Sequence, residues 1–181
     1  MWRKMLSLRT TVRAVRTAGG KQLRTFSTSG KYIAVIDEGT TSTRTALFDR
    51  TGKFCFSAQK EFTQIMPQQG WVEHDPVEIL DRTKETMNEV MEEAGATSDD
   101  VLCLGITNQR ETTVVWDRHT GAPLHNALVW MDTRADKLCE QISAENGGED
   151  STYGTAGLPI KGYFSGPKIK WLMDNVSRVR D

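Results

Sequence analysis

The stretch Tyr32-Ile33-Ala34-Val35-Ile36-Asp37-Glu38-Gly39-Thr40-Thr41-Ser42-Thr43-Arg44-Thr45-Ala46-Leu47-Phe48 decides the architecture of this chain. Two runs rich in β-branched and aromatic residues, Tyr32 to Ile36 and Thr43 to Phe48, flank a polar turn that contains Gly39. Such runs, bounded by turn-forming residues, read as strands. A second turn, Asp49-Arg50-Thr51-Gly52, leads into a third run from Lys53 to Phe62. Three strands joined by short turns predict an antiparallel meander.

Downstream, a helix announces its start. Asp75 stands at the N-cap position, Pro76 at the first helical position and Glu78 at the third. Leu80, Thr83, Met87, Val90, Met91 and Ala94 follow at spacings of three and four, and Gly95 ends the run. Val101 to Thr107 reads as a buried strand, Thr112 to Trp116 as another, Asp117 to Gly121 as a turn and Leu128 to Trp130 as a short strand. A helix is predicted from Thr133 to about Ser143, stopped by Gly147-Gly148. A last helix starts near Pro167 with Ile169, Leu172, Met173 and Val176 as its apolar face. A meander, then a helix and further strands, predicts an α/β domain: a mixed sheet flanked by helices.

Composition narrows the function classes. The chain has 181 residues, 38% hydrophobic and 26% charged, as in an ordinary globular domain. No apolar run reaches the roughly 20 residues that a membrane-crossing helix needs, so no transmembrane segment is expected. Cys55, Cys103 and Cys139 are odd in number and lack metal-type spacing, which predicts reduced thiols. His74, His119 and His125 are scattered, so no structural zinc is expected.

The net charge of −1 hides an asymmetry. Between Met1 and Gly30 stand Arg3, Lys4, Arg9, Arg13, Arg16, Lys21 and Arg24 without a single acid. A basic, Ser/Thr-rich, acid-free start has the composition of a mitochondrial transit peptide. Leu6, Val12, Val15 and Leu23 offer part of an apolar face, and Arg24-Thr25-Phe26-Ser27 suits processing after Phe26. The other reading is a disordered basic tail. Residues 1–30 are thus set apart as a leader and 31–181 as the folded domain. The expected location is the mitochondrion, with the cytoplasm as alternative; peripheral association with a mitochondrial membrane stays open. Nucleic acid binding is not expected, because the body is acidic and has no second basic stripe.

Three segments are candidates for chemistry. In Asp37-Glu38-Gly39-Thr40-Thr41-Ser42-Thr43-Arg44, a carboxylate at a strand end can face a cation such as Mg²⁺. Gly39 allows a tight turn, and the hydroxyls of Thr40, Thr41 and Ser42 are donors suited to phosphate oxygens. The same residues also fit a plain hairpin turn that satisfies its own backbone. It is not a P-loop, since the Gly-Lys-Ser/Thr sequence is absent. In Thr107-Asn108-Gln109-Arg110-Glu111-Thr112-Thr113, adjacent Arg110 and Glu111 offer both hydrogen-bond polarities, which suits a polyol; a solvated loop fits equally. In Tyr163-Phe164-Ser165-Gly166-Pro167-Lys168, the aromatics either line a pocket or pack under the last helix. Trp71 and Trp130 read as core.

Taken together, Asp37 to Ser42, Gly70-Trp71-Val72-Glu73-His74-Asp75-Pro76, Gly105 to Thr113 and Tyr163-Phe164-Ser165-Gly166 resemble, in order and spacing, the N-terminal domain of glycerol kinases. These belong to the FGGY carbohydrate kinases, whose fold is actin-like (ribonuclease H-like). The resemblance covers Lys31 to Val176. It implies ATP and Mg²⁺ as cofactors and glycerol as substrate, with Asp37 beside Mg²⁺ positioning the phosphoryl group. It implies that Thr40, Thr41, Ser42 and Arg44 contact ATP or ADP phosphates, with Thr40 also near the product phosphate. It implies that Arg110, Glu111 and Tyr163 bind glycerol hydroxyls while Trp130 packs on the glycerol carbons. A homo-oligomer is expected for the full-length enzyme.

The chain departs from the family pattern at Glu38, where Gln is usual, at Pro167, where Thr or a small residue is common, and at Lys161-Gly162, which replaces a more acidic or polar pair. The resemblance also implies a second domain that supplies most of the adenosine site and the Asp acting as general base. No residue here takes that place, so the expectation is a fragment or truncated product that is inactive alone, since half a cleft neither aligns two substrates nor excludes water. Its uncovered surface is expected to be partly apolar. The alternatives are a related sugar or polyol kinase, and a truncated, non-catalytic binding module.

Overall fold

The computed structural model describes residues 30–180. The leader reading therefore lies outside the described residues. In chain order the elements are β1 (Tyr32–Glu38), β2 (Ser42–Asp49), β3 (Phe54–Glu61), β4 (Glu73–His74), α1 (Pro76–Glu93), β5 (Val101–Thr107), β6 (Ala127–Leu128), α2 (Asp136–Glu145), α3 (Tyr153–Ala156), α4 (Ser165–Asn175) and α5 (Ser177–Arg180). They divide into two units. The first takes the chain through Glu38, Ser42–Lys60 and Arg82–Thr107, and the second takes Gly39–Thr41, Glu61–Asp81 and Asn108 onward.

The first unit is built on a four-stranded sheet of order β3-β2-β1-β5. β1 runs antiparallel to β2, with Asp37 opposite Arg44, and parallel to β5, with Asp37 opposite Thr107. Parallel strands need a crossover, and α1 lies on it. The sheet is thus mixed, as the order of strand and helix patterns predicts. Strand alternation puts Ala34, Leu47 and Ala58 on one face, where they pack with Val90 of α1. Tyr32, Phe56, Met91, Ala94 and Val101 surround this core.

Helix α1 starts and stops as its sequence dictates. Asp75 Oδ1 accepts the Val77 N–H at 2.8 Å. At the other end Gly95 has φ 56°, and the Ala96 N–H reaches back to Met91 O at 2.9 Å. That is a Schellman closure, which needs a left-handed residue. The inward stripe differs from the expected one: Leu80 is half exposed, whereas Thr86 is fully buried. Thr86 is tolerated inside because its hydroxyl meets Thr45 Oγ1 at 2.8 Å.

The expectation that β5 is buried is corrected. Cys103 to Thr107 are exposed, with Ile106 at 67%. The strand occupies the edge of the sheet, beyond the core around Val90.

The second unit holds a two-stranded antiparallel sheet, β4 with β6. Single bridges extend it from Ile65 to Glu73 and from Thr113 to Leu128. The strand expected over Thr112 to Trp116 is not regular. Thr113 exchanges two hydrogen bonds with Leu128, but Trp116 faces Pro123, which has no N–H to return. The turn from Asp117 to Gly121 forms, with Asp117 Oδ1 accepting from His119 N, Thr120 N and Thr120 Oγ1.

A buried ion cluster ties β4 to the segment that precedes α2. Arg134 donates to Glu73 Oε1 at 2.7 Å and, through Nε and Nη2, to both oxygens of Asp132 at 2.8 Å. Its guanidinium carbon lies 3.9 Å from the Trp71 ring centre and 4.9 Å from that of Trp171. Desolvating this cation is offset by paired carboxylates and two ring faces.

Helix α4 also departs from its expected face. Leu172 is buried, but Ile169 and Met173 are exposed, and Lys168 is fully buried in their stead. Pro167 occupies the first turn, where no intrahelical N–H bond is lost.

Candidate functional site

In the first unit, Asp37 is exposed near the end of β1. Directly opposed residues of an antiparallel pair share a face, so Asp37 and Arg44 point to the same side of the sheet. Arg44 Nε and Nη2 donate to Gln59 Oε1 at 3.1 and 2.8 Å, and Gln59 Nε2 donates to Ser42 Oγ at 2.8 Å. Gln59 therefore ties Ser42 and Arg44 together. Sequence reading missed it, and its only signal was a polar residue at alternating strand positions.

Glu38, one residue further, faces the opposite side. Its Oε1 accepts from Thr43 Oγ1 at 2.9 Å and from Thr83 Oγ1 at 2.5 Å. Its Oε2 is buried without a hydrogen-bond partner. The extra negative charge is directed at α1, away from the face that carries Asp37 and Arg44.

The second unit gathers the remaining candidates. Thr40 Oγ1 accepts the Trp130 indole N–H at 3.0 Å, and Thr40 O accepts from Gln64 Nε2 at 3.2 Å. Thr41 O accepts the Phe62 N–H at 3.3 Å. His74 is fully buried, lies edge-on to Phe62 at 5.0 Å and bonds to Gln64 Oε1 through Nε2 at 2.9 Å. Burial holds the His74 pKa below its ordinary 6.5, so the imidazole is neutral.

Arg110 is exposed in the turn after β5. Glu111 beside it has φ 66°, the one left-handed non-glycine residue among those described. A side chain held in this region is strained by about 1 kcal/mol or more, and such strain clusters at binding sites. Glu111 Oε2 accepts from Ser165 N and Ser165 Oγ, both at 3.3 Å, at the start of α4.

Trp130 and Tyr163 meet edge to face at 6.0 Å, with Tyr163 itself 41% exposed. The Tyr163 turn is clamped from beneath by Lys168 Nζ, which donates to Gly162 O at 2.6 Å and to Tyr163 O. Burial pushes the Lys168 pKa down, opposed by the charges of Asp132, Glu111 and Asp136. At Gly162 a side chain would meet Asp136, since a Cβ there would lie 2.0 Å from Asp136 Oδ1. Lys161 pairs with Glu149 at 2.6 Å.

The second unit thus links Thr40, Trp130 and Tyr163 in one chain of contacts, with Glu111 bound two residues beyond Tyr163. Asp37, Ser42 and Arg44 belong to the first unit. Among the described residues no cluster of three or more His, Cys, Asp or Glu forms a metal cage. The three cysteines are free thiols.

The first unit thus exposes a strand-end carboxylate, and the second carries a polar pair and two aromatic rings on neighbouring segments. Residues 32–181 match the N-terminal domain of the FGGY family of carbohydrate kinases, and the chain belongs to that family. It is 52% identical over 151 residues to a glycerol kinase of Roseiflexus sp. (strain RS-1), covering 83% of this chain and 30% of that protein. It is 51% identical over 154 residues to glycerol kinase 2 of Streptomyces coelicolor, covering 85% and 30%. Among solved structures, Plasmodium falciparum glycerol kinase with ADP superposes with a TM-score of 0.77 at 36% identity, over 82% of this chain and 30% of that one. A ligand-bound xylulose kinase from Lactobacillus acidophilus gives 0.73 at 25% identity, over 82% and 29%. The fold is therefore the actin-like one of these kinases, and the chain spans about 30% of the length of the curated relatives it matches.

Proposed function

We propose that this chain supplies the polyol-binding and part of the phosphate-binding machinery of a glycerol kinase, which transfers the γ-phosphoryl group of ATP to a terminal hydroxyl of glycerol. The observation that carries the reading is that one unit holds the strained Glu111, bonded to Ser165, and the Trp130–Tyr163 aromatic pair whose tyrosine stands two residues before that serine. Identity near 50% to glycerol kinases across that same region supports it.

In this reading Arg110 and Glu111 donate to and accept from the glycerol hydroxyls, Tyr163 adds a hydroxyl contact, and Trp130 covers the carbon chain. Thr40, Thr41, Ser42 and Arg44 meet the phosphates. Mg²⁺ prefers one or two carboxylates together with water and substrate phosphates, so the single exposed Asp37 suits it. When bound, the ion neutralises charge on the phosphoryl group. Asp37 orients that assembly, and catalysis is otherwise a matter of placement.

Calorimetric titration of glycerol into this chain tests the reading. We expect binding that Arg110→Ala weakens at least tenfold, as for loss of a charged hydrogen bond in a binding site. A chain that binds a pentulose and ignores glycerol belongs to a related sugar kinase instead. Glycerol-dependent ADP release from Mg-ATP that is lost in Arg110→Ala would add phosphoryl transfer to the binding reading. For the leader, a fusion of residues 1–30 to a fluorescent protein is expected to enter mitochondria, and diffuse cytoplasmic signal would refute the import reading.

A further inference from the structure

Thr40 is held at two atoms by two different groups, and together they decide how its hydroxyl works. An indole has one N–H and no acceptor. With Trp130 Nε1 at 3.0 Å, Thr40 Oγ1 must accept there. The Thr40 proton is left for another acceptor, and none takes it among the described residues. On the backbone side, the Gln64 amide nitrogen serves two carbonyls, Thr40 O at 3.2 Å and Phe62 O at 3.3 Å. Both its donors are then used, so its oxygen faces His74 Nε2 at 2.9 Å, and that nitrogen carries the imidazole proton. Apart from the Gln64 donor that serves Phe62 O, the donors run toward Thr40: His74 to Gln64, Gln64 to the Thr40 carbonyl, Trp130 to the Thr40 hydroxyl. His74 is fully buried, which anchors the far end.

We propose that Trp130, Gln64 and His74 are positioning residues that commit the Thr40 hydroxyl to donate to a phosphoryl oxygen, and that Trp130 thereby couples the phosphate turn to the polyol side chains. The inference rests on the glycerol kinase reading for the identity of the ligand. Phosphoryl oxygens accept hydrogen bonds strongly, whereas a polyol hydroxyl both donates and accepts. A committed donor therefore favours the phosphorylated molecule over the free polyol. The coupling has a physical route, since the Trp130 ring that bonds Thr40 also rests edge-on against Tyr163.

The test uses the whole 181-residue chain, labelled with ¹⁵N. The Trp130 indole resonance, assigned by its loss in Trp130→Phe, is followed during titration with sn-glycerol 3-phosphate and, separately, with glycerol. Glycerol 3-phosphate is expected to shift this resonance. Thr40→Ser should keep the response and Thr40→Val should abolish it. Trp130→Phe, which releases the Thr40 hydroxyl from its fixed orientation, should reduce the preference for glycerol 3-phosphate over glycerol about tenfold, the worth of the charge-assisted Thr40–phosphoryl bond it would misalign. Gln64→Leu should reduce it in the same direction. An unmoved indole in the unmodified chain overturns the proposal and needs no variant to fold. So does an equal shift in Thr40→Val. If glycerol perturbs the Arg110 and Glu111 amides while glycerol 3-phosphate leaves the indole still, the inference fails and the glycerol reading stands. If the indole responds to glycerol 3-phosphate while glycerol perturbs nothing, the inference stands and the polyol reading falls.

Discussion

Glu111 holds a backbone conformation that glycine adopts freely and a glutamate does not. Replacing it separates stability from binding. Glu111→Gly is expected to be about 1 kcal/mol more stable than Glu111→Ala by denaturant titration, because only the alanine keeps a Cβ in the left-handed region. Both should lose polyol binding. Equal stabilities would show that no strain is stored there. Lys168 makes the opposite case, a charged residue serving packing. Lys168→Met leaves the carbonyls of Gly162 and Tyr163 unpaired, and should cost about 2 kcal/mol. His74 sets a pH dependence. Its folded pKa lies below 6.5, so just under that pH the unfolded chain binds more protons than the folded one. Its contribution is complete above about pH 6.5 and declines as pH falls toward the folded pKa. Thermal unfolding between pH 8 and 5 should show a loss that is smaller in His74→Gln. The sequence exposed Arg110 and Glu111 as candidates through their adjacency. It marked Gln59 only as a polar residue in a strand and did not mark Gln64, because an amide acquires its role from partners that only folding supplies.

Among the elements, α1 was the most legible. Its ends are written in local chemistry, a capping aspartate and a left-handed glycine, and local chemistry does not wait for tertiary contacts. Asp75→Ala is expected to lower stability by about 1 kcal/mol; no change in the unfolding midpoint would show that the cap is dispensable. Helix faces were less legible. In α4 the apolar stripe pointed to Ile169 and Met173, yet the buried side is that of Lys168 and Leu172. The stripe did not register Lys168, because its two carbonyl partners, Gly162 and Tyr163, are supplied by the fold. β5 failed differently: an apolar run marks a strand, but its burial depends on which neighbours flank it.

At the scale of the molecule, that edge has a consequence. Leu104 and Ile106 lie 43% and 67% exposed on a strand that pairs on one side only among the described residues. Such an edge invites pairing with another chain. Ile106→Lys is expected to reduce concentration-dependent association by light scattering and to leave stability within about 0.5 kcal/mol, as for an exposed position. Unchanged association would place the sticky surface elsewhere. The sequence by itself determined the class of fold, the caps of α1, the turns at Asp49–Gly52 and Asp117–Gly121, and the family, because alternation, helical period and turn chemistry act over a few residues. Only the tertiary structure decided that Glu38 turns toward Thr83, that Arg134 is caged by Asp132, Glu73 and two tryptophans, and that Thr40 is gripped by Gln64 and Trp130. Apart from Asp132, two residues from Arg134, these partners lie tens of residues away in the chain, and a hydrogen bond is set by distance and direction in space, which no local pattern encodes.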